Sequence, residues 1–364
     1  MLIKPPALKP GDKVAIVSLS GGILGEKFAT HQRELGCARI KTMGLVPVMM
    51  PNTLKGSQFL AAHPEARAQD LKTAFADPDI KGIIAVIGGD DTYRLLPFLM
   101  TDHYFIHNVQ AHPKLFTGFS DTTINHLMLR RIGMQSFYGP NFLNDLAELD
   151  HEMLPYTKAA FLNYFQNKNE TAVLSSPVWY EERQDFSPAA VGMPRVAHPE
   201  SKGYETVRGS GKVRGRLLGG CLDSFYDILT TTRYPDEQAV AEKYRLFPRP
   251  AEWQDKILFI ETSEEKPEPG LYRKMLQILK QHQVFSAVRA ILVGKPQDET
   301  YYETYKQILL AETAAEQLPI LMNVNFGHAY PRTVLPYEAQ AEIDFDEQKL
   351  TIVEPFFAAK IADK

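Results

Sequence analysis

The chain has 364 residues, enough for two domains with full hydrophobic cores. Apolar residues make up 44% of it and aromatic residues 10%, which excludes a disordered chain. A net charge of −4 argues against nucleic acid as a partner, because phosphate binding needs a basic surface. No apolar run reaches the roughly 18 residues of a membrane-spanning helix, and the N-terminus has no signal-peptide core. We therefore predict a cytoplasmic protein with no membrane partner.

Residues 10–165 alternate between predicted strands and predicted helices. The strands are 13–19, 46–50, 82–87, 114–119 and 134–137, and the helices are 28–43, 64–75, 93–99 and 122–132. Such alternation is typical of an α/β domain with a doubly wound, mostly parallel sheet, whose ligands bind beyond the carboxyl ends of the strands. Gly-Gly at 21–22, Gly-Gly at 88–89 and Ser120 all fall at such ends.

The strand 82–87 runs into Gly88-Gly89, followed by Asp90 and Asp91. Two glycines after a strand let backbone N–H groups approach a ligand closely, beside a helix N-terminus that favours negative charge. The loop could supply one half of an oxyanion hole. It could also hold a phosphate, because Gly-Gly-Asp-Asp-Thr differs by one residue from the Gly-Gly-Asp-Gly-Thr of NAD and lipid kinases. An ordinary turn is the third interpretation.

Metal-binding patterns are weak. His103, His107 and His112 lie close together, but we predict no regular helical face there, and no His-Glu-x-x-His motif occurs. The two cysteines are too few for a disulfide framework. Cys221 follows a double glycine with nothing nearby to activate it, so a packed thiol is favoured over a nucleophile. We predict no metal ion.

Ser120 lies at the predicted bend between strand 114–119 and helix 122–132, where a serine nucleophile would stand clear of the backbone. Gly118 precedes it by two residues, as in a nucleophile elbow. Thr122 replaces the second glycine of Gly-x-Ser-x-Gly, so that motif is half matched. The alternative is that Ser120 or Asp121 caps the helix, as both residue types commonly do.

Residues 166–212 are polar and rich in Pro, Gly, Ser and charge, which predicts a linker with an irregular loop. It would join an N-terminal domain, 1–165, to a C-terminal domain, 213–364. Trp179, one of two tryptophans, stands in this polar segment. Its indole is suited to stacking on a base, or else it pins the loop to the domain surface.

The C-terminal domain is predicted to be α/β with a mixed sheet. Its predicted strands are 213–218, 256–260, 290–293 and 319–324, with a final hairpin of 340–345 and 349–354. Glu261 and His328 follow two of these strands and could serve Ser120 as the carboxylate and the base of a triad. Glu264 and Glu265 are rival acids, and a surface role is the alternative for His328.

Six motifs together resemble those of one group of serine carboxypeptidases, in the same order. They are Ile87-Gly-Gly-Asp-Asp-Thr-Tyr-Arg-Leu-Leu-Pro, Gly118-Phe-Ser-Asp-Thr-Thr, Phe137-Tyr-Gly-Pro, Leu218-Gly-Gly-Cys-Leu, Ile257-Leu-Phe-Ile-Glu and Phe326-Gly-His. The group comprises the murein tetrapeptide LD-carboxypeptidases and the microcin C immunity peptidases. The resemblance spans most of the chain but is weak over 166–212 and 232–255. The extra length and the segment around Trp179 resemble the microcin-immunity branch.

The resemblance implies a role for each candidate residue. Ser120 would be the nucleophile, Glu261 the acid and His328 the base, and the backbone N–H groups of Asp121 and of Gly89 or its neighbour would form the oxyanion hole. It also implies a homodimer, and an active site in the cleft between the two domains.

We therefore predict a serine carboxypeptidase that needs no cofactor. Its substrate would be a small peptide, or a peptidyl- or aminoacyl-nucleotide, cleaved at a C-terminal amide, with Asp90, Trp179 and Cys221 as contacts. Cys221 stands where many members of the group have Asn. The alternatives are a murein tetrapeptide LD-carboxypeptidase of cell-wall recycling, a phosphotransferase that uses the Gly-Gly-Asp-Asp loop, and a non-catalytic binder of peptides or nucleotides.

Overall fold

The computed structural model describes residues 2–359, which form two compact units. Unit 1 comprises residues 2–167, 183–194 and 356–359, and unit 2 comprises residues 168–182 and 195–355. The chain therefore returns to unit 1 twice after first leaving it. In the described part of the chain, no helix is long and apolar enough to cross a membrane.

Five strands of unit 1 pair in parallel in the order β5-β4-β3-β1-β2. They are β1 (Lys13–Val17), β2 (Val46–Met49), β3 (Ile80–Ala85), β4 (Leu115–Gly118) and β5 (Phe137–Tyr138). The unit's helices are α1 (Thr30–Thr42), α2 (Ser57–Ala62), α3 (Pro64–Ala76), α4 (Leu96–Leu99), α5 (His103–Ala111), α6 (Thr122–Ile132) and α7 (Pro155–Leu162). Every residue of β4 is buried, as expected for a central parallel strand with covered faces.

Unit 2 contains an eight-stranded mixed sheet in the order β6-β16-β15-β10-β11-β12-β13-β9 and a separate two-stranded ribbon, β7 with β8. Their strands are β6 (Thr171–Val173), β7 (Val178–Tyr180), β8 (Ala197–Pro199), β9 (Glu205–Arg208), β10 (Lys212–Cys221), β11 (Lys256–Glu261), β12 (Ala290–Gly294), β13 (Ile320–Val324), β15 (Gln340–Asp344) and β16 (Lys349–Ile352). The two-residue strand β14 (Leu335–Pro336) belongs to neither the mixed sheet nor the ribbon. Strands β10 to β13 are parallel neighbours, and the strands that flank them are antiparallel.

The helices of unit 2 are α8 (Leu222–Leu229), α9 (Glu237–Lys243), α10 (Pro250–Trp253), α11 (Pro269–Gln281) and α12 (Tyr302–Glu312). Helix α8 begins directly after β10, and β11 ends on Glu261. These units confirm the predicted α/β class, with a mostly parallel N-terminal sheet and a mixed C-terminal sheet.

Two local predictions differ from the structure. The histidine-rich stretch predicted to have no helical face forms α5, because Asp102 accepts a hydrogen bond from the Phe105 N–H and caps it, while Phe105 and Val109 bury one face. The segment 166–212, predicted as a linker and irregular loop, contains the four short strands β6 to β9. Its strands are three or four residues long, too short for a readable alternation of apolar and polar residues.

Candidate active site

Ser120 occupies a strained turn between β4, which ends at Gly118, and α6, which begins at Thr122. Its φ is +66°, in the left-handed region that non-glycine residues seldom adopt. The backbone N–H of Ser120 donates to the Tyr138 hydroxyl at 3.2 Å, which helps hold this conformation. Strain of this kind at the carboxyl end of a strand is the geometry of a nucleophile elbow.

Gly88 packs directly against Ser120. A β-carbon built on Gly88 would lie 2.6 Å from Ser120 Cβ and 2.7 Å from Ser120 Oγ, so the site requires glycine. The Gly88 carbonyl accepts a hydrogen bond from the Gly21 N–H at 3.0 Å, which ties the two double-glycine loops together. The first predicted glycine pair, 21–22, thus supports the second.

The predicted oxyanion donors, the backbone N–H groups of Gly89 and Asp121, follow Gly88 and Ser120 directly in the chain. Asp121 N would lie 3.2 Å from a β-carbon on Gly88, so it sits beside the loop that carries Gly89. Among residues 2–359, neither of these two N–H groups donates a hydrogen bond. Gly89 is exposed and has a φ of +144°, where a side chain would be strained. Two such donors beside a serine are what an oxyanion hole needs.

Phosphate binding was one alternative for the double-glycine loop, and Ser20 engages part of that loop. Ser20 Oγ accepts hydrogen bonds from the N–H groups of Asp90, at 3.1 Å, and of Asp91, at 3.3 Å. The Asp91 carboxylate is held by fully buried Arg67, with contacts of 2.5 and 3.0 Å. Because Ser20 engages both amides, the loop lacks the row of free N–H groups that would bind a phosphate.

Asp121 does not cap α6 with its side chain. Its buried carboxylate instead accepts a hydrogen bond from the Thr92 N–H at 3.0 Å. Burial raises the pKa of Asp121 to about 6, and the nearby Asp91 and Asp90 carboxylates add to this. The side chain of Asp121 thus links the two loops, while its backbone nitrogen lies beside Gly88.

In unit 2, Glu261 and His328 form a buried pair. Glu261 Oε2 accepts hydrogen bonds from His328 Nδ1, at 2.7 Å, and from the His328 backbone N–H, at 3.1 Å. Arg332 donates to the carbonyl oxygens of Gly327 and His328 at 2.7 and 2.9 Å, which fixes the turn. Gly327 has a φ of +88° and lies against the Glu261 side chain, so a larger residue would not fit.

The rival acids occupy different places. Glu264 Oε2 lies 2.9 Å from His328 Nε2, the opposite side of the ring from Glu261. Glu265 contacts Arg233 at 3.0 Å and not the histidine. Burial lowers the pKa of His328, but the charges and hydrogen bonds of Glu261 and Glu264 outweigh it and raise that pKa to about 10. Each nitrogen of this imidazole therefore has a carboxylate oxygen within hydrogen-bond distance.

Cys221 ends β10 beside this pair and is buried. Its thiol lies 3.7 Å from Asp223 Oδ2, and burial raises its pKa well above the usual value. Ligand atoms of Cys221, Glu261 and His328 lie within 4.8 Å of one another, the one such group of three in the described chain. A metal there would need a thiolate and would break the imidazole–carboxylate pair, so these residues fit an acid–base role better.

Trp179 lies on β7 directly opposite His198 of β8. The two rings stack with centroids 4.3 Å apart and an interplanar angle of 20°. Lys295 Nζ lies 5.1 Å from the centre of the half-buried indole. The amine of Lys295 is itself paired with Glu200 and Glu299, at 2.9 and 2.6 Å. One face of the indole is thus already covered by His198.

Several supporting residues were not anticipated from the sequence. Ser20 and Arg67 hold the loop after β3 in place. Ser20 could have been predicted, because it stands next to Gly21-Gly22 at the end of a strand. His126 contacts the carbonyl of Gly118 at 3.0 Å, two residues before Ser120. Burial lowers the pKa of His126 to about 3, so this contact supports the turn without adding a charge. Neither Arg67 nor His126 lies in a pattern that marks it for such a role.

Comparisons with known proteins bear on this site. The chain matches the LD-carboxypeptidase N-terminal domain over residues 14–139 and the LD-carboxypeptidase C-terminal domain over residues 214–343. The crystal structure of an MccF-like protein from Streptococcus pneumoniae in complex with AMP is similar with a TM-score of 0.89. It is 46% identical and covers 93% of this chain and 98% of that chain.

Two curated relatives are more distant. The microcin C7 self-immunity protein MccF of Escherichia coli is 27% identical over 305 residues, which is 81% of this chain and 80% of the relative. MccF has also been solved in complex with aspartyl sulfamoyl adenosine. A probable murein peptide carboxypeptidase of Bacillus subtilis (strain 168) is 26% identical over 356 residues, which is 96% of this chain and 94% of the relative.

Proposed function

The chain belongs to the LD-carboxypeptidase family and is thereby a serine-type carboxypeptidase, and from that premise we propose that Ser120, His328 and Glu261 carry out its reaction. The observation that supports this most strongly is the left-handed backbone of Ser120 packed against Gly88. Strain at a strand end is retained where the chemistry needs it. The buried pair of His328 and Glu261 has the geometry of a base with its orienting carboxylate.

In the proposed mechanism, Ser120 Oγ attacks the scissile carbonyl carbon while His328 Nε2 accepts the hydroxyl proton. The oxyanion accepts hydrogen bonds from the N–H groups of Gly89 and Asp121, each worth about 3–4 kcal/mol in such sites. His328 returns the proton to the leaving nitrogen, and water then cleaves the acyl-enzyme by the same route. Glu261 fixes the imidazole tautomer and stabilises its cation.

The substrate we propose is an aminoacyl- or peptidyl-nucleotide, cleaved at the amide of its terminal acyl group. Support comes from the 46% identity to the MccF-like protein solved with AMP and from the ligands bound by MccF itself. The half-buried indole of Trp179 is a flat ring suited to stacking on a base. Asp90 and Cys221 remain proposed contacts.

A murein tetrapeptide is the second candidate substrate, supported by the similarity to the probable murein peptide carboxypeptidase. We also retain as proposals a cytoplasmic location, the homodimer that the family resemblance implies, and domains at 1–165 and 213–364 joined by the segment 166–212.

The purified enzyme should be offered an aminoacyl sulfamoyl adenosine and, separately, murein tetrapeptide, with products followed by mass spectrometry. We expect release of the amino acid from the first substrate with a kcat/KM at least tenfold above that for tetrapeptide. Faster turnover of tetrapeptide would reverse the order of the two candidates. A fluorophosphonate probe should label Ser120, and labelling that persists in Ser120→Ala would contradict the assigned nucleophile.

A further inference from the structure

The imidazole of His328 lies between two carboxylates. Nδ1 contacts Glu261 at 2.7 Å, and Nε2 contacts Glu264 at 2.9 Å. An ionised carboxylate only accepts hydrogen bonds, so both ring nitrogens carry hydrogen in this arrangement. Nε2 is the nitrogen that must accept the proton of Ser120 in the proposed mechanism. While Glu264 holds it, His328 cannot act as a base.

The residues next to Glu264, Ser263, Glu265 and Lys266, are each held by contacts to other segments of the chain. Ser263 donates to Asp223 from its hydroxyl and its backbone N–H, at 2.7 and 2.9 Å. Lys266 Nζ pairs with Asp298 at 2.5 Å, and Glu265 pairs with Arg233. The Glu264 side chain is 62% exposed, so it can rotate away from the imidazole while the backbone stays in place.

The surroundings of His328 favour an incoming cation. Besides Glu261 and Glu264, the ring has the Cys221 thiol and the Asp223 carboxylate nearby, and Arg233 is the cation close to Glu264. Arg332 donates to the backbone carbonyl of His328. A positive group on the substrate could therefore replace the imidazolium as the partner of Glu264.

We propose that Glu264 binds a free α-ammonium group next to the scissile carbonyl, and that this contact releases His328 Nε2 to act as the base. The inference rests on the proposed function. In an aminoacyl substrate, the α-nitrogen lies about 2.5 Å from the carbonyl carbon, so it reaches the reacting centre with the carbonyl itself. An N-acylated residue, such as one within a murein peptide, brings no charge there. Glu264 is thus a specificity-determining residue for the amino end of the substrate.

The test compares an aminoacyl sulfamoyl adenosine with its N-acetyl derivative. For the wild-type enzyme we expect kcat/KM to favour the free amine by about ten- to a hundredfold, the range for a hydrogen bond between charged groups. Glu264→Gln keeps the shape of the side chain but lacks the charge, and should bring the two substrates within about threefold. Glu265→Gln, the matched control on the same turn, should keep the wild-type preference.

A pH profile separates this role from a merely structural one. With the N-acetyl substrate, Glu264→Gln should move the acid limb of kcat/KM to lower pH, because the imidazolium loses one stabilising carboxylate. Hydrolysis with an undiminished amine preference in Glu264→Gln would overturn the assignment of Glu264 and leave the proposed function standing. Failure of the wild-type enzyme to cleave either substrate would overturn the proposed function, and this inference with it.

Discussion

Replacing Gly88 with alanine tests the geometry of the nucleophile without replacing any reacting group. The added methyl group would lie 2.6 Å from Ser120 Cβ, so Ser120 or the loop must retreat by about 0.8 Å to reach an ordinary contact. Gly88 does not have a left-handed φ, so the substitution acts through this contact and not through backbone strain. Misplacement of a reacting group by about 1 Å costs on the order of a hundredfold in kcat. Overpacking should lower the free energy of unfolding by about 1–3 kcal/mol.

The assay measures kcat on the best substrate found, together with urea unfolding of the same preparation. Gly270→Ala is the matched control, because a β-carbon on Gly270 meets no atom within 4 Å and its φ is not left-handed. It should leave both quantities nearly unchanged. If folded Gly88→Ala retains more than half of the wild-type kcat, the close approach of the loop to Ser120 does not position the nucleophile.

Three further predictions concern the catalytic and supporting residues. Ser120→Ala should lower kcat by on the order of a millionfold while leaving the fold intact. Adding Glu261→Gln to the Ser120→Ala variant should have little further effect on kcat, because triad members act as a unit. Activity of Ser120→Ala above a tenth of wild type would contradict the mechanism. Arg67→Met removes the closer of two arginines from the buried Asp91 carboxylate and leaves Arg94 at 3.8 Å. It should cost about 3–5 kcal/mol in urea unfolding, partly restored by Asp91→Asn. Trp179→Ala should raise KM for nucleotide substrates by about ten- to a hundredfold and leave kcat unchanged, whereas equal losses on murein tetrapeptide would mean that the indole only pins the ribbon.

The strands and their ends were predictable because they follow strong local patterns. Buried β-branched runs marked β3 and β11, and the polar residues after them pointed to Glu261 and to the Gly88-Gly89 loop. The candidate base was predictable because His328 follows a further buried strand and a turn. In each case the sequence pattern that predicts the residue lies within about ten residues of it.

The features of the candidate site that could not be predicted depend on contacts between distant parts of the sequence. Arg67 of α3 contacts Asp91 in the loop after β3, and nothing in the composition of α3 predicts that its arginine is buried. The left-handed φ of Ser120 could not be predicted, because residues other than glycine seldom adopt it. The contact of Glu264 with Nε2 was invisible for a similar reason, because the sequence presents three neighbouring acids without showing which side of the imidazole each one meets.

The return of the chain to unit 1 at residue 356 has a consequence for how the protein is made. Gln135 donates to the Phe356 carbonyl at 2.8 Å, and the Phe357 N–H donates to Asn167 at 3.2 Å. Phe357 is buried and its ring lies 5.2 Å from that of Phe137. During synthesis, the last aromatic contacts of the sheet that carries Ser120 can therefore form only when nearly two hundred residues beyond residue 167 have been added. A fragment ending near residue 167 would leave that apolar surface in water, so the N-terminal unit is poorly suited to expression alone.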